Sequence, residues 1–245
     1  MLSMPSNLVA GIISSLIAVI LVEMYQLMRS MVVHRPLRKV FGLSNRRVIL
    51  VPKFPLKQGE SLKYNLLATH DAIALAHILS VLNKFKVSAD ILSSERLPDE
   101  IPDDLICIGG WAGNSATAFF IQRYCPGFII RGDEKEGGSY HTTYYEAGGE
   151  TFIDGNYDCW GFIIKLSPTY TGLPGTVLLF WGHSMVGTAA AAFFASQHAS
   201  KLSKLDQDAF FVAVLANRKF GYKSVQLTPI DVSTSVFQSF NAACD

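Results

Sequence analysis

The hydrophobic pattern divides the chain into one long apolar run and a series of short ones. Residues 8–22 are almost wholly aliphatic, broken only by Ser14 and Ser15, and show no polar face. Extended through Met24, Tyr25, Leu27 and Met28, the run reaches the roughly 20 residues a helix needs to cross a bilayer. Glu23 and Gln26 fall near its end, where their polar ends reach the interface. The later apolar runs are strand-sized: 48–54, 86–92, 104–108, 128–130, 160–166, 177–181 and 209–215. Helix-like segments lie between them, over about 70–85 behind Thr69 as N-cap, over 116–124, and in an alanine-rich run that ends near Leu205.

Runs 104–108 and 177–181 are apolar on consecutive residues, as in strands covered on both faces, and are expected to lie near each other and parallel. Alternating strands and helices predict an α/β, Rossmann-like fold: a mostly parallel sheet with helices on both faces. A β-hairpin insert is expected over 131–158 and a closing hairpin with a strand over 222–227. One N-terminal transmembrane helix precedes the domain. The expected divisions are an anchor over 1–29, a basic juxtamembrane linker over 30–44, punctuated by Pro36 and Gly42, and the domain over 45–245.

Charge orients the anchor. Arg29, Arg35, Arg38, Lys39, Arg46 and Arg47 follow the apolar run, with no acid between Glu23 and Arg47. The positive-inside bias puts the N-terminus outside and the C-terminal domain in the cytoplasm, as a single-pass cell-membrane protein held by residues 4–28. A cleaved signal peptide would carry its cations before the apolar core instead. Over the whole chain the charges balance, 21 Lys and Arg against 20 Asp and Glu, so no nucleic-acid partner is expected. The four cysteines form no CxxC pair and no metal-ligand spacing, which fits a reducing compartment.

Candidate chemistry gathers in two strand–glycine loop–helix units. The loops are Gly109-Gly110-Trp111-Ala112-Gly113-Asn114-Ser115 and Gly182-His183-Ser184-Met185-Val186-Gly187-Thr188. Free amides at the start of a helix, with its dipole, favour an anion. The hexapeptide GHSMVG resembles the nucleophile elbow of α/β-hydrolases, G-x-S-x-G. Val186 stands where the second glycine belongs, and no acid lies between Ser184 and the one later histidine, His198. Gly182, Gly187 and Thr188 also have P-loop spacing, without its lysine. Neither loop carries the G-x-G-x-x-G dinucleotide fingerprint. His70-Asp71 resembles the His-Asp pair of metal phosphohydrolases, but only His77 lies nearby. No metal and no cofactor are expected.

In a doubly wound sheet these loops and the start of the 70–85 helix meet beyond the carboxyl ends of the strands. The candidate ligand-binding residues are His70, Asp71, Gly109, Gly110, Asn114, Ser115, Gly182, His183, Ser184, Gly187 and Thr188. Lys53, Arg123 and Arg131 are further anion partners, and Trp111 is a surface for a base. The expectation is a membrane-anchored cytoplasmic sensor or binding module for a phosphorylated small molecule, a nucleotide among the choices. The alternatives are a membrane-tethered hydrolase using Ser184 or His183 with Asp71, and a protein-interaction scaffold with no ligand.

Overall fold

The computed structural model describes residues 6–42, 47–52, 54–55, 65–94, 104–134, 140–205 and 208–241. In chain order come α1 (Ser6–Phe41), β1 (Arg47–Val51), the short strands β2 (Phe54–Pro55) and β3 (Asn65–Leu66), α2 (Thr69–Lys84), β4 (Asp90–Ser93), β5 (Asp104–Ile108) and α3 (Ser115–Tyr124). They are followed by β6 (Phe128–Glu134), β7 (Tyr140–Ala147), β8 (Glu150–Phe152), β9 (Asp158–Leu166), α4 (Pro168–Thr171) and β10 (Val177–Gly182). The chain continues with α5 (Met185–Gln197), α6 (Ala199–Leu202), β11 (Ala209–Asn217), β12 (Ile230–Asp231) and α7 (Ser233–Asn241).

Seven strands form the central sheet, in the order β12-β11-β9-β10-β5-β1-β4. β4, β1, β5 and β10 are parallel, and the two apolar runs singled out in the sequence pair directly, Leu105 with Val177 through Ile108 with Phe180. β9 runs antiparallel between β10 and β11. The sheet is therefore mixed at one side and parallel at the other. Side chains alternate across it as a strand period of 2 requires. Ile49, Ile106, Ile108, Leu178 and Phe180 face one core with α2, α5, α6 and the end of α1. Val48, Leu50, Leu105, Cys107, Leu179 and Trp181 face the other, with α3, α7 and strands β6 to β8.

Several elements differ from the expectations. The insert is a three-stranded antiparallel sheet, β6-β7-β8, and not a hairpin. It packs on the domain because Phe128, Tyr145, Ala147 and Phe152 are buried. Residues 222–224 form a 3₁₀ turn, and β12 is the strand that closes that edge. Lys86, with φ of 56°, turns the chain after α2, so the second strand begins only at Asp90. α2 starts one residue earlier than expected, on Thr69, so Ala68 is its N-cap and Thr69 lies in the helix. The stretch expected as a linker is helical to Phe41, and Leu37, Val40 and Phe41 are buried in the core. Phe41 stacks on Phe180 at 6.0 Å.

Among the described residues no helix is long and apolar enough to cross a membrane. The expected span over 4–28 lies partly outside them, since side chains before Ser14 are not described. From Leu16 to Met28 the large apolar side chains of α1 are each half exposed or more.

Candidate functional site

The carboxyl edge of the sheet brings the two glycine loops into contact. β1, β5 and β10 are adjacent and parallel, so the loops after β5 and β10 leave side by side. The Gly109 amide donates to Phe180 O at 2.9 Å. Gly109 has φ of 101°, and a Cβ there would lie 2.9 Å from Pro52 Cγ, so only glycine fits. A Cβ on Gly110 would reach Gly182 O at 3.4 Å. β1 connects through α2 to β4 on one side, while β5 leads away on the other, which makes the β1–β5 boundary the topological switch point.

Asn114 closes that switch point. It is fully buried. Its Oδ1 accepts from the amides of Ala116 and Thr117, both at 3.1 Å, and caps α3. Its Nδ2 donates to Leu50 O at 3.1 Å and Ile108 O at 2.8 Å, clipping β1 to β5. Both amide hydrogens and both acceptor positions are committed to the fold. Ser115 donates its hydroxyl to Ser94 O, tying the end of β4 to α3. Thr117, which the sequence did not single out, donates to Gly109 O at 3.0 Å.

The 182–188 loop is built around close backbone packing. A Cβ on Gly187 would lie 2.1 Å from Trp160 O, and one on Gly161 would lie 2.2 Å from Gly187 O. A Cβ on Gly182 would meet the Gly187 backbone at 2.7 Å. The first turn of α5 therefore sits directly on β9 and β10, and the space beside Gly182 and Gly187 is filled by backbone. Thr188 is buried with them. Ser184 caps α5, accepting from the Gly187 amide at 3.4 Å. Its φ of −107° and ψ of 161° are ordinary extended values, without the strain of a nucleophile elbow. The Met185 and Val186 amides have no acceptor among the described residues.

No histidine hydrogen-bonds Ser184 among the described residues. His183 is exposed, its ring edge-on to Tyr145 at 5.6 Å. Tyr145, from β7, is buried within reach of the Trp111 side chain, and burial pushes its phenol up to about 12. It thus links both glycine loops to the small sheet. The Cys159 thiol lies within hydrogen-bonding reach of Ser184 and Arg218, and burial first, then Asp154, raises its pKa. Asp154 pairs with Arg218 and accepts from the Trp160 amide at 2.8 Å. Burial pushes the Cys107 and Cys125 thiols far up, which makes them small buried hydrophobes.

α2 opens at the same edge, because its far end returns directly to the start of β4. It has no side-chain cap. His70 is half-buried, while Asp71 is buried and makes no hydrogen bond among the described residues. Burial raises the Asp71 carboxyl from 3.8 to about 6. No hydrogen bond joins His70 or Asp71 to either glycine loop among the described residues. Of the other candidates, Arg131 pairs with Glu146 at 3.3 Å, Arg123 lies over the Tyr124 ring, and Lys53 lies outside the described residues.

A cleft of about 560 Å³ opens here, lined by Ser94, Trp111, Ala112, Gly113, Ser115, Ala118 and Gln122. Its size falls in the range of small-molecule sites. Ser115 is the one predicted binding residue in its wall, joined by Trp111. Glycines in a loop are visible in a sequence; whether each faces a cleft or another strand is decided across the fold. Among the described residues no group of three or more His, Cys, Asp or Glu is placed to hold a metal ion. No protein-family model matches the chain, and no curated protein matches its sequence.

Proposed function

We propose that the chain is a membrane-anchored binding module whose cytoplasmic domain takes a phosphorylated small molecule, such as a nucleotide, at the carboxyl edge of its sheet. The observation that carries this reading is the cleft of about 560 Å³ beside the β1–β5 switch point. Trp111 offers a flat apolar face, and the backbone amides of Ala112 and Ser115, which have no acceptor among the described residues, offer donors for an anion. The amides of Met185 and Val186, without acceptors among the described residues, and the start of α2, without a side-chain cap, add positive potential to the same edge. Binding is favoured over hydrolysis because Ser184 is an ordinary helix cap with no histidine partner among the described residues.

The anchor rests on α1. Its 36 residues rise about 54 Å at 1.5 Å each, and a contiguous exposed face runs from Leu16 to Met28. A soluble monomer rarely leaves such a face uncovered. The cations that follow it orient the domain to the cytoplasm.

Thermal-shift titration of the full chain in detergent with nucleotides, sugar phosphates and their unphosphorylated counterparts tests the ligand class. Phosphorylated compounds are expected to stabilise the wild type, and Trp111→Ala to weaken them at least tenfold, with the stability of the unliganded variant measured in parallel because Trp111 also packs on the core. Equal effects of a nucleoside and its phosphate would refute the anion reading. Binding unchanged in Trp111→Ala would place the ligand elsewhere.

A further inference from the structure

A second cleft lies at the opposite, amino edge of the sheet, where α1 enters the domain. It measures about 300 Å³ and is lined by Val32, Pro36, Lys84, Ser196, Gln197 and Ser200, among others. We propose that it is a headgroup site for an anionic phospholipid of the cytoplasmic leaflet. The inference rests on reading α1 as the membrane anchor.

Depth is the first argument. Residues 8–28 rise about 30 Å, the thickness of the hydrocarbon core, and Val32 and Pro36 come one and two turns later. The cleft therefore opens where headgroups lie. Its outer wall continues into the exposed apolar face of α1 at Leu27, Met28, Met31 and Val32, which gives acyl chains a surface to run along. A free phosphate ester has no use for that face.

Charge is the second. Lys84 stands in the wall, Arg35 lies in sequence between the wall residues Val32 and Pro36, and Arg38 sits over the Phe85 ring at 5.5 Å. Among the described residues, none of these cations forms an ion pair. The α2–β4 connection carries no acid, and Asp90, which opens β4, pairs with none of them among the described residues. Basic pockets at helix ends on the cytoplasmic side suit phosphate headgroups.

Hydrogen bonding is the third. Pro36 has no N–H, so the Val32 carbonyl lacks the donor that a helix supplies four residues on. That carbonyl belongs to a residue of the cleft wall. A headgroup that presents both a phosphate and a hydroxyl, as phosphatidylglycerol does, matches the cations and this acceptor together.

The test uses the full chain, purified in detergent and titrated with phosphatidylglycerol against phosphatidylcholine, with retained lipid read by native mass spectrometry. Wild type is expected to keep phosphatidylglycerol preferentially. Lys84→Gln and Arg38→Gln should each weaken it about fivefold, the equivalent of about 1 kcal/mol per cation. Lys223→Gln, near the far edge, should leave it unchanged. Equal retention by Lys84→Gln and wild type overturns the proposal, as does competition by soluble glycerol 3-phosphate as strong as by the lipid. Release of the chain from membranes by alkaline carbonate would instead remove the anchor reading beneath it. A chain that stays in the membrane without preferring phosphatidylglycerol refutes the headgroup site alone.

Discussion

The two edges of one sheet treat their polar groups in opposite ways. At the amino edge Arg47 is fully buried, donating to Asp104 at 2.9 Å and to the Gly42 carbonyl at the end of α1. Asp104 in turn accepts from the Thr176 amide at 2.9 Å, ahead of β10. One chain of hydrogen bonds thus ties α1, β1, β5 and β10 together. Burial pulls the Arg47 pKa down and Asp104 acts against it. At the carboxyl edge the same strands end in partly exposed glycine loops, with amides that have no acceptor and a buried carboxyl that makes no hydrogen bond among the described residues. Strand chemistry cannot explain this contrast, because the strands are shared. The amino edge is joined by side-chain hydrogen bonds to α1 and to the segment before β10, while the carboxyl edge keeps a cleft and amides without acceptors among the described residues.

The largest effect is expected from breaking the closed edge. Asp104→Ala leaves the Arg47 guanidinium buried without its carboxylate, with Nε and Nη1 already lacking partners among the described residues. The loss should be about 3–5 kcal/mol by thermal or denaturant unfolding. Combining it with Arg47→Met should recover much of that loss, and failure to do so would show that the pair is not the link.

Asn114→Ala asks whether a fully buried polar side chain of the open edge belongs to the fold or to a binding site. It removes a cap and leaves Leu50 O and Ile108 O without their donor, so stability should fall by about 2–4 kcal/mol. Near-wild-type stability with lost ligand binding would return Asn114 to the binding site.

Gly187→Ala separates packing from ligand access in the 182–188 loop. The added Cβ meets the Trp160 carbonyl, and overpacking of this kind costs about 1–3 kcal/mol. A variant as stable as wild type would mean that the first turn of α5 does not rest on β9.

Asp71→Asn should act in the other direction. Its carboxyl titrates near 6 when folded against 3.8 in the unfolded chain, so the folded state binds the proton more tightly. The contribution of Asp71 to stability is therefore fully present below about pH 4 and is lost as pH rises through about 6. The amide should stabilise the protein by about 1–2 kcal/mol at neutral pH and by nothing in acid. Unfolding midpoints measured across that interval check it, and a destabilised variant at neutral pH would reveal a partner for the carboxylate.

The sequence by itself determined the parallel core of the sheet. Residues 48–51, 105–108 and 177–181 are apolar on consecutive positions, and that pattern is stable only when both faces of a strand are covered. The glycine loops and helices that follow β5 and β10 were legible for the same local reason, since turn and helix propensities act within a few residues. Only the tertiary structure decided what each loop residue does. Asn114 became a clip because Leu50, 64 positions away, ends its strand within reach. Gly187 became a packing contact because β9, inserted antiparallel beside β10, presents the Trp160 carbonyl to it. The Arg47–Asp104 link spans 57 positions, and the Tyr145 bridge reaches the glycine loops from the inserted sheet. Local propensity carries no information about such partners, because a hydrogen bond or a steric contact depends on distance in space and the chain between them does not record it.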